Sequence, residues 1–69
     1  MNYIWKRLST ADVERLVVQY KLTSVERAIL ELRRQGYTLS YIGDKIGYDE
    51  RHIRRLTAKL LDKIRNELY

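Results

Sequence analysis

Apolar residues recur every three or four positions along most of the chain, which is the spacing of one buried face of an α-helix. No stretch of strand length alternates apolar and polar residues, and the chain contains no Pro. Its three glycines, Gly36, Gly43 and Gly47, lie close together, so the residues that break helices are confined to one part of the chain. The pattern predicts an all-α fold, a small four-helix domain that takes up the whole of residues 1–69.

Capping residues mark the expected ends of the first two helices. Ser9 or Thr10 is predicted to cap a first helix that ends near Lys21. The segment 23–26, Thr-Ser-Val-Glu, matches a capping box and predicts a second helix that stops at Gly36. The predicted buried faces are Val13, Leu16, Val17 and Tyr20 in the first helix and Val25, Ile29 and Leu32 in the second, with Ala28 allowing close approach.

A short helix and a long one are predicted to follow. Thr38 is expected to cap a helix over 39–46, and Gly47 then takes the left-handed position at its C-terminus. Asp49 is expected to cap a final helix over 50–68, about 28 Å long at 1.5 Å per residue. The predicted buried stripe of that helix is Ile53, Leu56, Leu60, Ile64 and Leu68, widened by Leu61.

Residues 39–56 have the pattern of a DNA-binding helix-turn-helix. Gly43 is expected to permit a close crossing of the two helices, and Gly47 to form the turn. The apolar wedge between the helices is predicted to consist of Ile42, Ile46, Tyr48, Ile53 and Leu56. Two amphipathic helices in a small bundle of another function could share this pattern.

The face of the final helix opposite the wedge is expected to point outward and to enter the major groove of DNA. An Arg guanidinium can donate two hydrogen bonds to guanine, one to O6 and one to N7, and a Glu carboxylate can accept a hydrogen bond from N4 of cytosine. The predicted base contacts are Glu50, Arg51, Arg54 and Arg55. The alternative is that Glu50 and Arg54, one helical turn apart, form only a solvent-exposed ion pair without a role in DNA binding.

Further residues are expected to contact DNA phosphates, because the amino end of the third helix offers free amides and several basic side chains lie nearby. The predicted phosphate contacts are Thr38, Ser40, Tyr41, Lys45 and Lys59, with Arg33 and Arg34 as further candidates. For each Lys or Arg taken alone, a solvated surface role is an equal alternative, and the Tyr41 ring could pack on the wedge instead. Tyr37 is expected to pack, and His52 to be a passive surface residue.

Composition narrows the class of function. The chain carries a formal net charge of +5, which suggests a polyanionic partner. It has no Cys and one His, which excludes disulfides and thiolate metal sites and leaves few groups for catalysis. We therefore expect no enzyme activity, no cofactor and no metal. Apolar runs are too short for a membrane span or a signal peptide, so the protein is expected to be cytoplasmic.

The segment 22–68 resembles region 4 of bacterial primary sigma factors, the domain that reads the promoter −35 element. The resemblance rests on Leu-Thr at 22–23, Glu-Arg at 26–27, Leu-Glu-Leu-Arg at 30–33, Thr-Leu at 38–39, Ile-Gly at 42–43, the Gly47 turn, Ile-Arg at 53–54 and Ala-Lys at 58–59, leading into Leu61, Lys63 and Arg65. The same span is similar to the output domain of LuxR-type response regulators. Both families are four-helix, helix-turn-helix units.

The resemblance implies a region-4-like unit over 23–69, preceded by an N-terminal segment and first helix over 1–22. In the sigma family the base contacts come from the start of the recognition helix, which corresponds here to Glu50, Arg51, Arg54 and Arg55. This sequence departs from the family, which usually has Arg then Glu at 50–51, Gln at 55 and two Glu at 40–41. The chain is also too short to hold the sigma parts that grip polymerase and open the −10 element.

Two functions follow as expectations. The first is a sequence-specific transcription regulator of phage or mobile-element origin that binds double-stranded DNA as a homodimer, with dimer surfaces on the final helix or the Tyr3-Ile4-Trp5 cluster. That cluster, with Leu8, is otherwise expected to cover the core. The second is a protein-interaction module that binds RNA polymerase or another regulator.

Overall fold

The computed structural model describes residues 8–68, with the side chain of Leu68 outside the described part. It contains four α-helices: α1 (Thr10–Gln19), α2 (Ser24–Arg34), α3 (Leu39–Ile46) and α4 (Glu50–Leu68). No strand occurs in this part of the chain, so the predicted all-α, four-helix fold is confirmed. None of the described helices is long and apolar enough to cross a lipid bilayer.

Side-chain caps fix where the first three helices begin. Ser9 and Thr23 each form a capping box, in which the hydroxyl accepts from the amide three residues on and the acidic side chain there accepts from the cap amide. The hydroxyl of Thr38 accepts from the amide of Tyr41 at 3.1 Å. α1 ends at Gln19, two residues before Lys21, whose positive φ of 53° is not helical. The predicted starts of α1, α2 and α3 are therefore confirmed.

The core is a single cluster to which every helix contributes. Its buried members are Leu8, Val13, Leu16, Leu22, Ile29, Leu30, Ile42, Ile53, Leu60 and Ile64. Most were predicted, but the stripe assigned to α2 was too narrow: Leu30 is fully buried, whereas Val25 and Leu32 are half-buried. The reason is that α2 packs against α1, α3 and α4, so a wider part of its circumference is covered.

Two polar residues that no apolar stripe predicts are also buried, Glu26 and Thr57. The Thr57 hydroxyl donates to the carbonyl of Ile53 one turn earlier at 2.7 Å, so it is satisfied within α4. Glu26 is satisfied by its capping box and by the ammonium of Lys63 on α4. A buried polar group without such partners would destabilise the fold.

The C-terminal part of α4 is also tied to α1. Glu67 accepts from the guanidinium of Arg15 and from the hydroxyl of Tyr20, each at 3.0 Å. These bonds lower the pKa of Glu67, while burial and the bond to Glu67 raise the pKa of Tyr20. The long helix is thus anchored at its far end, which fixes the direction in which its first turns project.

Candidate nucleic-acid interface

The turn between α3 and α4 is built around the carbonyl of Gly43. The amides of Gly47 and Tyr48 both donate to this oxygen at 2.8 Å, which ends α3. Gly47 has φ 90°, in the left-handed region that favours glycine, as predicted. The amide of Ile53 donates to the carbonyl of Asp49 at 3.1 Å, and α4 starts at Glu50. Two helices therefore join through a turn of only three residues.

Gly43 allows α3 to approach the turn and the start of α4 closely, as the sequence predicted. A Cβ atom at this position would lie 2.7 Å from the carbonyl oxygen of Tyr48 and 3.5 Å from Cγ1 of Ile53. The tighter limit comes from the backbone of the turn, and the α4 side chain is only in ordinary contact. Any side chain at residue 43 would push the turn away from α3 and change the angle at which α4 leaves it.

The predicted wedge is confirmed for four of its members. Ile42 and Ile53 are fully buried, and Ile46 and Leu56 are half-buried against the core. Tyr48 was wrongly placed in the wedge, since its side chain is 39% exposed. The amide and carbonyl of Tyr48 face Gly43, so the backbone of the turn, instead of the Tyr48 ring, fills the space between the helices.

The outward face of α4 carries a basic groove, lined by Asp49, Arg51, Arg54, Arg55 and Ala58. Arg54, Arg55 and Ala58 follow Arg51 by three, four and seven residues, which places all four on one side of the helix. All four are exposed, while Ile53 and Leu60 on the opposite side are fully buried. The structure therefore brings the predicted base-contacting arginines together on one surface.

The three arginines differ in their partners. The Arg54 guanidinium lies 2.7 Å from the carboxylate of Glu50, so the predicted pair one turn apart is present. An Arg55 nitrogen, Nη2, lies 3.3 Å from Nδ1 of His52. Arg51 makes no ion pair or hydrogen bond with the described part of the chain. Glu50 offsets the charge of Arg54, so Arg51 and Arg55 are the arginines of the groove without a carboxylate partner in the described part of the chain.

The predicted phosphate contacts lie in two places. Thr38, Ser40 and Tyr41 are exposed at the first turn of α3, where the Thr38 hydroxyl is occupied as the helix cap. Lys45 is exposed at the end of α3, and Lys59 is exposed on α4 one turn beyond Arg55. The Tyr41 ring does not pack on the wedge. It stacks on Tyr37, with ring centroids 4.3 Å apart.

Arg33 and Arg34, the further phosphate candidates, make contacts within the domain. Arg33 donates to the carbonyl of Tyr37 at 2.7 Å, and burial lowers its pKa. Arg34 pairs with Glu31, which raises the pKa of Arg34 and lowers that of Glu31. Both side chains therefore hold the C-terminal end of α2 and the loop that follows it.

Two members of the groove were not predicted as site residues: Asp49, which was expected only to cap α4, and Ala58. The spacing of Ala58, seven residues after Arg51, indicates that it shares the face of the arginines. A small apolar residue on a charged face is nevertheless easily overlooked as a candidate for DNA contact. An alanine methyl can contact the methyl of thymine in the major groove. In the described residues, no group of acidic or His side chains is placed to hold a metal ion.

No protein-family model, curated protein or solved structure matches this chain. The resemblance to region 4 of sigma factors therefore stays a prediction from the residues. What the fold and the surface define is an all-helical domain with a helix-turn-helix and a basic outward face on its last helix.

Proposed function

We propose that this protein is a sequence-specific double-stranded DNA-binding regulator of transcription, with the first half of α4 in the major groove. The observation that carries the proposal is the shared exposed face of Arg51, Arg54 and Arg55 directly after the turn. The opposite face of α4 is buried in the core, so these arginines cannot turn inward without unfolding the domain.

The chemistry of this face suits base edges. A major groove about 12 Å wide admits one α-helix, and an Arg guanidinium bonds guanine with two donors. Glu50 can accept from cytosine N4, and its pairing with Arg54 orders both side chains before DNA arrives. The exposed guanidinium groups of the groove are hydrogen-bond donors, which suits recognition of base edges.

Phosphate contacts would come from both sides of the groove. Lys59 continues the basic face of α4, while Ser40, Tyr41 and Lys45 project from α3, the helix that crosses the backbone in this type of motif. Phosphate contacts fix the position of the protein and carry no sequence information. Thr38 contributes chiefly by capping α3, which keeps its first amides oriented.

The proposal includes a homodimer. One domain of this size contacts only a short DNA site, and two copies on paired half-sites would give the affinity and specificity that one copy lacks. The exposed residues of the second half of α4 are polar, Asp62, Lys63, Arg65 and Asn66, so this helix offers charged contacts to a second copy. The Tyr3-Ile4-Trp5 cluster, the other predicted dimer surface, lies outside the described residues. A cytoplasmic regulator of phage or mobile-element origin remains the proposed setting.

The test is fluorescence anisotropy on a labelled random duplex across a salt series, with sedimentation of the same samples to count chains. We expect log K to fall linearly with log salt, by about 0.9 for each phosphate neutralised. Selection from a random duplex library then gives the preferred site. No binding at low salt would overturn the proposal.

A second candidate function is an interaction module for RNA polymerase or another regulator. The observation that favours it is the stacked pair of Tyr37 and Tyr41, since both rings are 39% exposed and aromatic residues are enriched at protein interfaces. Titration of purified RNA polymerase with wild type and Tyr37→Ala separates the two functions. Loss of polymerase binding with DNA binding intact would favour this candidate.

A further inference from the structure

A chain of side-chain contacts leads from the turn to one arginine of the groove. The Tyr48 ring packs edge-on against the His52 ring, with centroids 4.9 Å apart and an angle of 84° between planes. Nδ1 of His52 in turn lies 3.3 Å from Nη2 of Arg55. Sequence reasoning placed Tyr48 in the wedge and made His52 a passive surface residue, so neither contact was expected.

The direction of the hydrogen bond follows from the groups involved. A guanidinium has only donors, so Nδ1 of His52 accepts and the ring proton sits on Nε2. The Tyr48 ring restricts rotation of the imidazole and so holds Nδ1 towards Arg55. None of Tyr48, His52 and Arg55 belongs to the core cluster.

The partner of Arg55 differs in kind from that of Arg54. Arg54 pairs with a carboxylate, which orders the side chain but also neutralises it. Among the described residues Arg55 has no carboxylate partner, and a neutral imidazole orders it while leaving its full charge for DNA. A long side chain that is ordered in advance loses less conformational freedom on binding.

We infer that His52, held by Tyr48, is a positioning residue that orients Arg55 for recognition of one base pair. The inference rests on the proposed function and deepens it by separating the roles within the groove. His52 and Tyr48 touch no base, and Arg55 reads one. The preferred site is thus expected to contain a guanine whose selection depends on residue 52.

A double-mutant cycle on the selected site tests this coupling. We expect His52→Ala to weaken cognate binding by about fivefold in the wild-type background and to have no effect in the Arg55→Ala background. His52→Gln should stay within about twofold of wild type, because its Oε1 can accept from Arg55. Binding of random duplex should not change in any of these variants beyond the effect of the Arg55 charge.

The control for folding is the circular dichroism melting curve, which should be the same for His52→Ala and wild type. Additive effects of His52→Ala and Arg55→Ala on the cognate site would overturn the inference. So would an equal loss on random duplex, since a positioning role acts on base recognition alone.

A measurement without DNA separates failure of the inference from failure of the proposed function. Imidazole ¹⁵N shifts at pH 8 should show the Nε2–H tautomer in wild type and a mixture of tautomers in Arg55→Ala. Unchanged shifts in Arg55→Ala would overturn the contact even if the protein binds DNA. Absence of binding to any duplex would instead overturn the proposed function, whatever the shifts show.

Discussion

The ammonium of Lys63 on α4 lies 2.9 Å from both carboxylate oxygens of Glu26 at the start of α2. One of those oxygens also accepts from the amide of Thr23, so a single buried carboxylate caps one helix and binds another. The Glu26 side chain is only 5% exposed, against 41% for Lys63. The bond fixes the second half of α4, and so helps to set the direction of the groove at its first half.

Glu26→Gln is expected to lower the free energy of unfolding by about 1–3 kcal/mol, the range for hydrogen bonds to charged groups. Glutamine can still accept from Thr23, but it leaves Lys63 without its carboxylate. Urea unfolding followed by circular dichroism measures the change. The matched control is Glu14→Gln, which breaks an exposed pair with Arg27 and should cost less than about 0.5 kcal/mol. Equal losses would show that burial of Glu26 has no energetic consequence.

Stability is expected to fall on acidification. Burial by itself raises the pKa of Glu26, but the Thr23 amide and Lys63 outweigh it, so the pKa lies below its usual value of 4.5. The pKa values of Asp12, Glu31 and Glu67 are also lowered, by the bonds to Ser9, to Arg34 and to Arg15 respectively. As pH falls, the unfolded chain therefore takes up protons before the folded one.

These carboxylates contribute stability that is fully present above about pH 5 and is lost as pH falls through the folded pKa values. The urea midpoint should be constant from pH 7 to about 5 and decline below that. Glu26→Gln should show a shallower decline, because one of the titrating groups is gone. A decline of the same steepness in the variant would contradict this account of Glu26.

Gly43 in α3 and Gly47 in the turn should respond differently to substitution. Gly43→Ala is expected to destabilise the domain by about 1–2 kcal/mol, since backbone must move to admit the new Cβ. Gly47→Ala should cost about 1 kcal/mol because of its positive φ, with no clash within 4 Å. Thermal melting measures both. Gly47→Asn should recover most of the loss, because Asn tolerates this conformation, and failure to recover would argue for a steric cause at Gly47.

Arg54→Ala is expected to weaken binding to the selected site by about 1–3 kcal/mol and to relax its specificity. The matched control is Arg27→Ala. Arg27 is also exposed, 52% against 67% for Arg54, and also pairs with a carboxylate, that of Glu14, but it lies on α2, outside the groove and outside the proposed dimer surface. Both variants lose one positive charge, so a difference between them in fluorescence anisotropy titrations reflects the position of the arginine and not the net charge. Equal losses would mean that total charge, and not the groove, determines binding.

Lys45→Ala provides the contrasting case of a phosphate contact. It should weaken cognate and random duplexes alike and reduce the slope of log K against log salt by about 1. The measurement is the same salt series used for wild type. A loss confined to the cognate site would place Lys45 among the residues that read bases.

The ends of the helices could be predicted because the signals are local. The hydroxyls of Thr23 and Thr38 cap the amides three residues on, and Gly47 ends α3 in the left-handed conformation. Each of these features depends on a few neighbouring residues and on backbone sterics. The outward face of Arg51, Arg54 and Arg55 could be predicted for the same reason, because helical periodicity opposes it to Ile53.

The side-chain partners that join different helices could not be predicted, because they depend on how helices distant in sequence pack together. Glu26 and Lys63 are 37 residues apart, and Arg15 and Glu67 are 52 apart, with no periodicity to link them. Leu30 is buried because three other helices pack against α2. The amphipathic pattern of α2 alone does not indicate how many helices cover it. The number of helices that cover a given face is a property of the assembled core.

By itself the sequence determined four helices, the caps of the first three, the tight turn at Gly47 and the basic face of α4, since all of these follow from steric and hydrogen-bonding preferences within a few residues. Only the tertiary structure decided that the turn backbone replaces Tyr48 in the wedge and that Glu26 binds Lys63. The first of these outcomes depends on the angle at which α3 and α4 cross. That angle is set by the close approach at Gly43 and by packing of the whole core, which acts between residues far apart in the chain.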